Sequence, residues 1–204
     1  MSKPAVIAWD FDGVLNRSIK DGVFQWSKTF DADLGQSLDD FSQFVFRDRF
    51  DRIITGQEDL RDRLAAWADK VGFEGGADRI MAYWFDRDAL TDPEMLTLMD
   101  LATDQGIRQV IATNNENRRA TYIETTMGFG PRIEHMFASG RMGVKKPDPQ
   151  FFHQITDRLS VSPENMLLVD DHPPNVAAAK SLGWRTFLFS GTEYSDLRDL
   201  IFNK

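Results

Sequence analysis

The chain contains no cysteine, and this absence removes several kinds of site at once. Without thiols it forms no disulfide and no thiolate zinc centre, and cysteine usage gives no information on the compartment. The sequence also lacks any apolar run near the ~18 residues that a membrane-spanning helix requires. Its first residues lead directly into a short apolar segment, with no hydrophobic signal region before it. These absences predict a soluble cytoplasmic protein.

Positive charge is also scarce. The chain has 24 Lys and Arg residues against 32 Asp and Glu residues, which gives a net charge of −8. This balance argues against nucleic acids and membranes as partners, because polyanions and anionic surfaces bind proteins through clustered cations. A small anionic substrate remains compatible with it, because a bound metal ion and a few local cations dominate at short range.

Apolar residues, in contrast, are abundant. They make up 42% of the chain, with 16 Phe and 5 Trp, so the sequence predicts an ordered protein with a substantial core. A length of 204 residues suits one large domain, or one domain that carries a smaller insertion. Nothing in the sequence indicates the oligomeric state.

The stretch around which the chain is organised runs from Val6 to Leu15. An apolar run predicts a buried strand, and it ends abruptly in Asp10, Asp12 and Gly13. Polar groups at the tip of such a strand lie where open α/β sheets bind ligands. Two carboxylates this close to apolar surface repel each other, and a bound cation is the simplest way to offset that repulsion.

The same residues admit a simpler interpretation. Asp followed by Gly after an apolar run is common where a strand enters a turn, and Asp often caps turns and helices. A calcium-binding loop does not fit, because such a loop needs Asp or Asn, then Gly, where this chain has Val14 and Leu15. Asp10, Asp12 and Gly13 alone therefore do not distinguish a turn from an active site, and the other motifs of the sequence are needed.

From Asn16 to about Asp88 the sequence shows no convincing strand but repeated helical spacing of apolar residues. One such pattern runs from Phe41 to Ile54, and a second runs from Leu60 to Val71. We therefore predict a helical subdomain inserted at residues 17–88. Its arginines Arg47, Arg49 and Arg52 and its aromatic residues are candidates for substrate selection, although a place on the helix surface or in the core of the insertion explains them better.

After residue 90 the sequence alternates between helical and strand patterns. The predicted strands cover residues 107–113, 135–138, 166–169 and 186–189, with helical segments between them. Alternation of this kind predicts an α/β fold whose parallel sheet carries helices on both faces. Residues 1–16 and 89–204 would form this core.

Polar residues follow the predicted strands. Thr113 and Asn114 end one strand, Asp170 and Asp171 end another, and Lys146 lies in a loop between them. Individually these residues have ordinary explanations, as helix caps or as a solvated lysine. Their order and shared position at one edge of the sheet argue for a site.

The chain resembles the haloacid dehalogenase superfamily, on its phosphatase side. The matches, in order, are residues 10–14, Thr113, residues 143–149 and residues 169–171, the last followed by Asn175, Ala178 and Gly183. The resemblance covers residues 5–16 and roughly 90–190 and implies a Rossmann-like sheet. The insertion lies where this family places a cap, which implies an α-helical cap subdomain that sets substrate choice.

The resemblance also implies a reaction, the hydrolysis of a small phosphate monoester such as a sugar phosphate. Asp10 would be the nucleophile and Asp12 the general acid and base. Thr113 and the backbone N–H of Asn114 would hold phosphoryl oxygens, and Lys146 would neutralise their charge. Lys146 is favoured over Lys145 because it directly precedes Pro147, as in the family.

Mg²⁺ is the implied cofactor, because clustered carboxylates without Cys suit a hard cation. Its ligands would be Asp10, the backbone carbonyl of Asp12, and Asp171, with Asp170 acting directly or through water. The resemblance argues against a dehalogenase, because dehalogenases of this family have no acid at the position of Asp12. Two alternative functions within the same superfamily remain: a phosphomutase, and a catalytically silent protein that binds a phosphorylated ligand. A non-enzymatic receiver domain of a signalling protein also uses aspartates and a lysine on a parallel sheet. It would place these residues at other points along the chain, and this chain is too long for such a domain alone.

Overall fold

The computed structural model describes residues 3–20, 22–47 and 49–202. Its strands are β1 (Val6–Trp9), β2 (Ile19–Lys20), β3 (Val23–Phe24), β4 (Arg108–Thr113), β5 (His135–Ala138), β6 (Met166–Asp170) and β7 (Arg185–Leu188). Its α-helices are α1 (Phe30–Leu34), α2 (Leu38–Ser42), α3 (Phe50–Ile54), α4 (Leu60–Val71), α5 (Gly76–Arg87), α6 (Pro93–Asp104), α7 (Asn117–Thr125), α8 (Ser139–Met142), α9 (Pro149–Leu159), α10 (Pro173–Ser181) and α11 (Tyr194–Phe202).

Five of the strands form one parallel sheet in the order β5-β4-β1-β6-β7. This arrangement confirms the predicted α/β fold. The first strand lies at the centre, where Trp9 pairs with Ile111 of β4 on one side and Val169 of β6 on the other. The carboxyl ends of β1, β4 and β6 therefore meet at the middle of one sheet edge, where the direction of the strand order reverses.

Alternate residues of each strand enter opposite cores, as the period of a strand requires. On β1, Ile7 and Trp9 face the cluster formed with α6, α7 and α11, and Val6 and Ala8 face the cluster formed with α9 and α10. All four side chains are fully buried. Helices on both faces of the sheet thus account for the nearly continuous apolar character of its strands.

Helices α1 to α5 form the inserted cap between β3 and β4 and have a hydrophobic core of their own. Trp26, Phe30, Phe41 and Trp67 are buried in this core, and their rings pack edge-on or tilted against one another. The predicted helical insertion is confirmed. Aromatic pairs in such arrangements add to the stability supplied by their buried area.

The two chain segments that connect the cap to the core lie side by side. The N–H of Arg17 donates to the carbonyl of Leu90 at 2.7 Å, and the N–H of Asp92 donates to the carbonyl of Leu15 at 2.9 Å. These bonds lie next to the predicted boundaries at residues 16/17 and 88/89, and the division into two domains there remains our proposal.

The structure corrects several details of the sequence interpretation. The prediction of no strand after Asn16 was wrong, because β2 and β3 form a small antiparallel hairpin; two residues per strand are too few to produce an alternating pattern. The helical pattern of residues 41–54 belongs to α2, a π-helical turn at Gln43–Arg47 and α3, because apolar spacing alone does not show where a helix breaks. The helix α11 was not predicted.

None of the helices in the described residues is long and apolar enough to cross a lipid bilayer.

Candidate active site

Asp10 lies immediately beyond β1, at the centre of the sheet edge. Its N–H still donates to the carbonyl of Val169 at 2.8 Å, so the backbone follows β6 up to this residue. The N–H of Phe11 donates to Asp10 Oδ1 at 2.7 Å, which fixes the orientation of the carboxylate. Asp10 is only 8% exposed. The sheet therefore holds one carboxylate oxygen of a buried, oriented aspartate at the predicted nucleophile position.

Lys146 reaches this carboxylate from the loop after α8. Its Nζ lies 3.0 Å from Asp10 Oδ1 and donates to Asp170 Oδ2 at 2.6 Å, and the residue is 2% exposed. Its backbone is held by Asn114, whose side chain accepts from the Lys146 N–H and donates to the Lys146 carbonyl. The neighbouring Lys145 instead pairs with Asp51 of the cap at the surface. The structure thus brings Lys146, and not Lys145, to the acidic cluster.

Asp170, at the end of β6, is completely buried. In addition to Lys146, it accepts hydrogen bonds from the side chain of Asn175 and from the N–H of His172. These donors stabilise a charged carboxylate away from water and hold it against the ammonium group. Asp170 therefore helps to fix the position of Lys146.

Asp171 completes a group of carboxylates with Asp10 and Asp170. One oxygen from each of these residues lies within 4.8 Å of the other two. Gly13 makes this arrangement possible: its φ is +86°, and a Cβ atom at this position would lie 2.1 Å from an Asp171 carboxylate oxygen. The glycine in the first motif therefore serves the close approach of Asp171 as well as the turn.

The electrostatics of the cluster favour a cation. Burial raises the pKa of Asp10 well above its usual value, and repulsion by Asp170 and Asp171 adds to this, although Lys146 opposes the shift. Burial, followed by repulsion from Asp170, likewise raises the pKa of Asp171. For Lys146, burial alone would lower the pKa, but the charges of Asp10 and Asp170 outweigh it and the pKa is raised. One ammonium leaves three carboxylates under-compensated, so the donor set fits a hard divalent cation such as Mg²⁺.

Asp12 lies apart from this cluster and faces two asparagines. Its Oδ1 accepts from Asn16 at 2.9 Å, and its Oδ2 accepts from Asn115 at 3.0 Å. Asn115 also lies 2.9 Å from the hydroxyl of Thr113, which is buried at the end of β4. The two aspartates of the first motif are therefore held differently, Asp10 by a cation and Asp12 by neutral amides.

The residues predicted to take part in catalysis, phosphate binding or metal binding all lie at this edge of the sheet, but they form subgroups. Asp10, Lys146, Asp170 and Asp171 are in mutual contact or close proximity, whereas Asp12 and Thr113 are linked through Asn115.

Three polar residues near the site were not singled out: Asn16, Asn115 and Asp88. An Asn just beyond a strand is typical of an ordinary turn, so Asn16 and Asn115 carry no separate signal. Asp88 is buried beside Arg119, with Asp88 Oδ2 3.3 Å from an Arg119 nitrogen. Burial, then repulsion from Asp12, raises the pKa of Asp88 to about 7. Only the folded chain brings Asp88 near Asp12, across more than seventy residues of sequence.

The cap contacts the core next to these residues. Arg118, at the start of α7, makes two hydrogen bonds of 2.7 Å with Asp59, the residue that caps α4. The hydroxyl of Ser139 donates to the carbonyl of Ile54. Gly56 packs so closely on the carbonyl of Gly140 that a Cβ atom would lie 2.1 Å from it. The cap is thus docked on the same edge of the sheet that carries the site.

A Rossmann-like sheet, a carboxylate cluster at its central edge and a helical insertion after the first strand together define a capped α/β protein. The chain belongs to the haloacid dehalogenase-like hydrolases, a family that matches residues 4–183.

Curated relatives support this assignment. A phosphoglycolate phosphatase from Rhodospirillum rubrum is 30% identical over 91 residues, which cover 45% of this chain and 38% of that protein. A CBBY-like protein from Arabidopsis thaliana is 25% identical over 88% of this chain and 61% of its own length. The chain thus spans less than two thirds of the length of these two relatives. A sesquiterpene phosphatase, astK, from Aspergillus oryzae is 23% identical over 79% of this chain and 81% of its own length.

Solved structures share the fold. A HAD family enzyme from Bacteroides thetaiotaomicron, in complex with magnesium and inorganic phosphate, superposes with a TM-score of 0.76 at 18% identity, over 95% of this chain and 98% of that one. A structure of a dehalogenase superposes with a TM-score of 0.68 at 16% identity, over 96% and 90% of the two chains. At these identities the likeness is one of architecture.

Proposed function

We propose that the protein is a magnesium-dependent phosphatase that hydrolyses a small phosphate monoester through an aspartyl-phosphate intermediate. The observation that carries this proposal is the contact between the buried Asp10 carboxylate and Lys146 at the sheet edge, two residues before a second, separately held aspartate. Phosphoryl transfer depends mainly on positioning and charge neutralisation, and this arrangement provides both. The phosphatases among the curated relatives agree with this chemistry.

In the first half-reaction, a carboxylate oxygen of Asp10 attacks the phosphorus atom of the ester. A bond forms between Asp10 and phosphorus as the bond from phosphorus to the alcohol oxygen breaks. Asp12 donates its proton to the departing oxygen, so that an alcohol leaves instead of an alkoxide. Lys146, the Thr113 hydroxyl and the backbone N–H of Asn114 would hold the phosphoryl oxygens.

In the second half-reaction, water attacks the phosphorus atom of the aspartyl-phosphate. Asp12, now a carboxylate, accepts the proton from this water, and the bond between Asp10 and phosphorus breaks. Inorganic phosphate leaves, and both aspartates return to their starting states. Asn16 and Asn115 suit this second role of Asp12, because their amide N–H groups donate to its two oxygens and so stabilise the carboxylate.

Mg²⁺ would be held by Asp10, Asp171 and the backbone carbonyl of Asp12, with Asp170 acting directly or through water. When bound, it supplies positive charge that neutralises the phosphoryl group and the carboxylates around it. Asp171, which follows β6, is more exposed than Asp170, the last residue of β6. The oxygens of Asp170 already accept hydrogen bonds from Lys146, Asn175 and His172. The direct ligand of this pair would therefore be Asp171.

The test is the turnover of a panel of phosphate monoesters, with and without Mg²⁺, by the wild type and by Asp10→Asn. Asp10→Asn should abolish phosphate release while circular dichroism shows an intact fold, because an amide cannot act as the nucleophile. Asp100→Asn, on the exposed side of α6, is the matched control and should retain full activity.

Turnover near the wild-type rate by folded Asp10→Asn would overturn the mechanism. Phosphorus NMR of the products separates hydrolysis, which gives inorganic phosphate, from the transfer of phosphate to another hydroxyl that a phosphomutase would catalyse.

A further inference from the structure

A cavity of about 300 Å³ lies between the cap and the core, directly beside Asp12. Its cap side is lined by six aromatic residues, Phe24, Trp26, Phe46, Phe50, Trp84 and Phe85. The aliphatic side chains of Ile54 and Leu60 extend the same surface. Phe24 is 39% exposed, although an aromatic ring of a soluble protein is normally covered. The cavity wall away from the catalytic residues is therefore almost entirely apolar.

Most polar groups of the cavity lie on its core side. Asp12, Asn114 and Asn115 line this part. In the proposed reaction Asp12 protonates the alcohol oxygen of the ester, so this oxygen lies at the polar end. The carbon skeleton attached to it then has the aromatic cap residues as its surroundings.

The described residues that line the cavity offer no unpaired cation for a second anionic group. Among its described lining residues the only cation is Arg119, which is 3% exposed and pairs with Asp88. The guanidinium also donates to the carbonyls of Phe85 and Asp88 at 2.9 Å. Glu116 and Asp88 add buried carboxylates to the same wall. A substrate with a carboxylate or a second phosphate beyond the ester would thus meet buried carboxyl groups and apolar rings, with no unpaired cation among the described lining residues.

The three arginines considered as candidates for substrate selection do not line this cavity. Arg49 and Arg52 both pair with Glu58, and Arg47 is exposed at the end of the π-helical turn. Their positions support the simpler interpretation of these residues as part of the cap surface.

We infer that the preferred substrates are phosphate monoesters of apolar alcohols, with a skeleton of roughly a dozen carbon atoms. The size follows from volume, because an apolar cavity of about 150 Å³ holds one benzene molecule of six carbons. This inference rests on the proposed phosphatase function and adds the substrate class to it. Sugar phosphates fit poorly, because their hydroxyl groups would lose hydrogen bonds to water against the aromatic wall.

The test uses n-alkyl phosphates from ethyl to hexadecyl, each below its micellar concentration. The value of kcat/KM should rise about fourfold per added methylene, the factor expected for moving this group from water into apolar surroundings. The rise should end near twelve carbons, where the cavity is full. 6-Phosphohexanoate, which carries a carboxylate at the far end of its chain, should be at least tenfold poorer than hexyl phosphate.

Two phenylalanines of the π-helical turn provide matched variants. Phe46 lines the cavity, whereas Phe44, also half-buried, lies under the guanidinium of Arg63 away from it. Phe46→Ala should move the length at which the rise ends to longer chains, by roughly three to six carbons, since it vacates about one ring's space. Phe44→Ala should leave that length unchanged. Phe46→Leu, a smaller change, gives a shift in the same direction if Phe46→Ala does not fold.

The outcomes separate this inference from the proposed function. Hydrolysis of p-nitrophenyl phosphate that requires Asp10 tests the phosphatase function alone. With that activity present, a series whose kcat/KM stays level from ethyl to dodecyl phosphate would overturn the inference, as would a preference for 6-phosphohexanoate over hexyl phosphate. Failure of the wild type to hydrolyse any ester would overturn both.

Discussion

Replacing Lys146 with methionine tests the electrostatics of the site most directly. The substitution keeps most of the length of the side chain and removes its charge. It leaves Asp10, Asp170 and Asp171 clustered within 4.8 Å of one another without their ammonium group. Because Lys146 is 2% exposed, water cannot take its place without rearrangement of the site.

The magnitude follows from the two contacts of Lys146. At 3.0 Å from Asp10 and 2.6 Å from Asp170, each ion pair contributes about 5–6 kcal/mol at an effective dielectric constant of about 20. Desolvation of the ammonium group, several kcal/mol, offsets a large part of this. Loss of one partner of a buried pair typically costs about 3–5 kcal/mol, and we expect a decrease of this size in the free energy of unfolding at pH 7 without metal.

The effect should depend on pH. The pKa of Lys146 is raised above its usual 10.5, so the wild-type stabilisation is fully present below that pH and is lost only above it. In Lys146→Met the penalty comes from ionised carboxylates. Since burial raises the pKa of Asp10 well above its usual value, lowering the pH should protonate this group and reduce the penalty.

Urea denaturation followed by circular dichroism at several pH values, in EDTA, measures this difference. The matched control is Lys145→Met, one residue away, where the side chain is partly exposed and pairs with Asp51 at the surface. A surface ion pair contributes about 0–1 kcal/mol, so the control should change little. If both variants lost the same stability, or if Lys146→Met stayed within 0.5 kcal/mol of the wild type, the role assigned to Lys146 would be wrong.

Three further predictions concern the carboxylates. Asp12→Asn should lower the rate about 10²–10⁴-fold for an alkyl phosphate. The loss should be smaller for p-nitrophenyl phosphate, because its leaving group needs little protonation. Equal losses for the two substrates would count against an acid role for Asp12. EDTA should abolish activity, and added Mg²⁺ should restore it. Asp171→Asn should reduce the increase in Tm that Mg²⁺ produces in the wild type. Full activity of a protein that elemental analysis shows to be free of metal would refute the metal site. The pKa of Asp88, raised to about 7, means that the folded state holds an extra proton between about pH 4 and 7. The free energy of unfolding of the wild type should therefore fall by about 2–3 kcal/mol relative to Asp88→Asn between pH 5 and 8. Parallel pH profiles of the two proteins would show that Asp88 does not titrate there.

Local signals in the sequence were enough to predict the core and its sheet edge. The strand Met166–Asp170, for example, has apolar residues on both faces, because helices cover both sides of the parallel sheet. Such continuous apolar runs can be recognised in the sequence alone. Asp10 and Asp170 were identifiable because polar residues recur in order at the carboxyl ends of the predicted strands, where an open α/β sheet binds its ligands. The inserted helices were equally visible from apolar residues at helical spacing.

Features that depend on two distant segments were not predictable in this way. Asp88 has a raised pKa only because folding brings it beside Asp12 in a buried place, and its sequence neighbours give no sign of this. The π-helical turn at Gln43–Arg47 preserves the apolar spacing of an α-helix, so the pattern did not reveal it. The hairpin of β2 and β3 is held by pairing across a turn instead of by a side-chain pattern.

The sequence by itself therefore determined the parallel α/β core, the helical insertion and the candidate residues at the strand ends, because each depends on short-range periodicity or on the residue that ends a strand. Only the tertiary structure shows that Lys146 contacts Asp10 whereas Lys145 pairs with Asp51 of the cap. Two adjacent lysines differ only in which of them faces the sheet, and this depends on how the loop is folded. The tertiary structure alone produced the aromatic cavity beside Asp12, because that cavity is formed by cap residues from several helices meeting the core. Which side chains share a cavity depends on how the helices pack, and packing joins residues that are far apart along the chain.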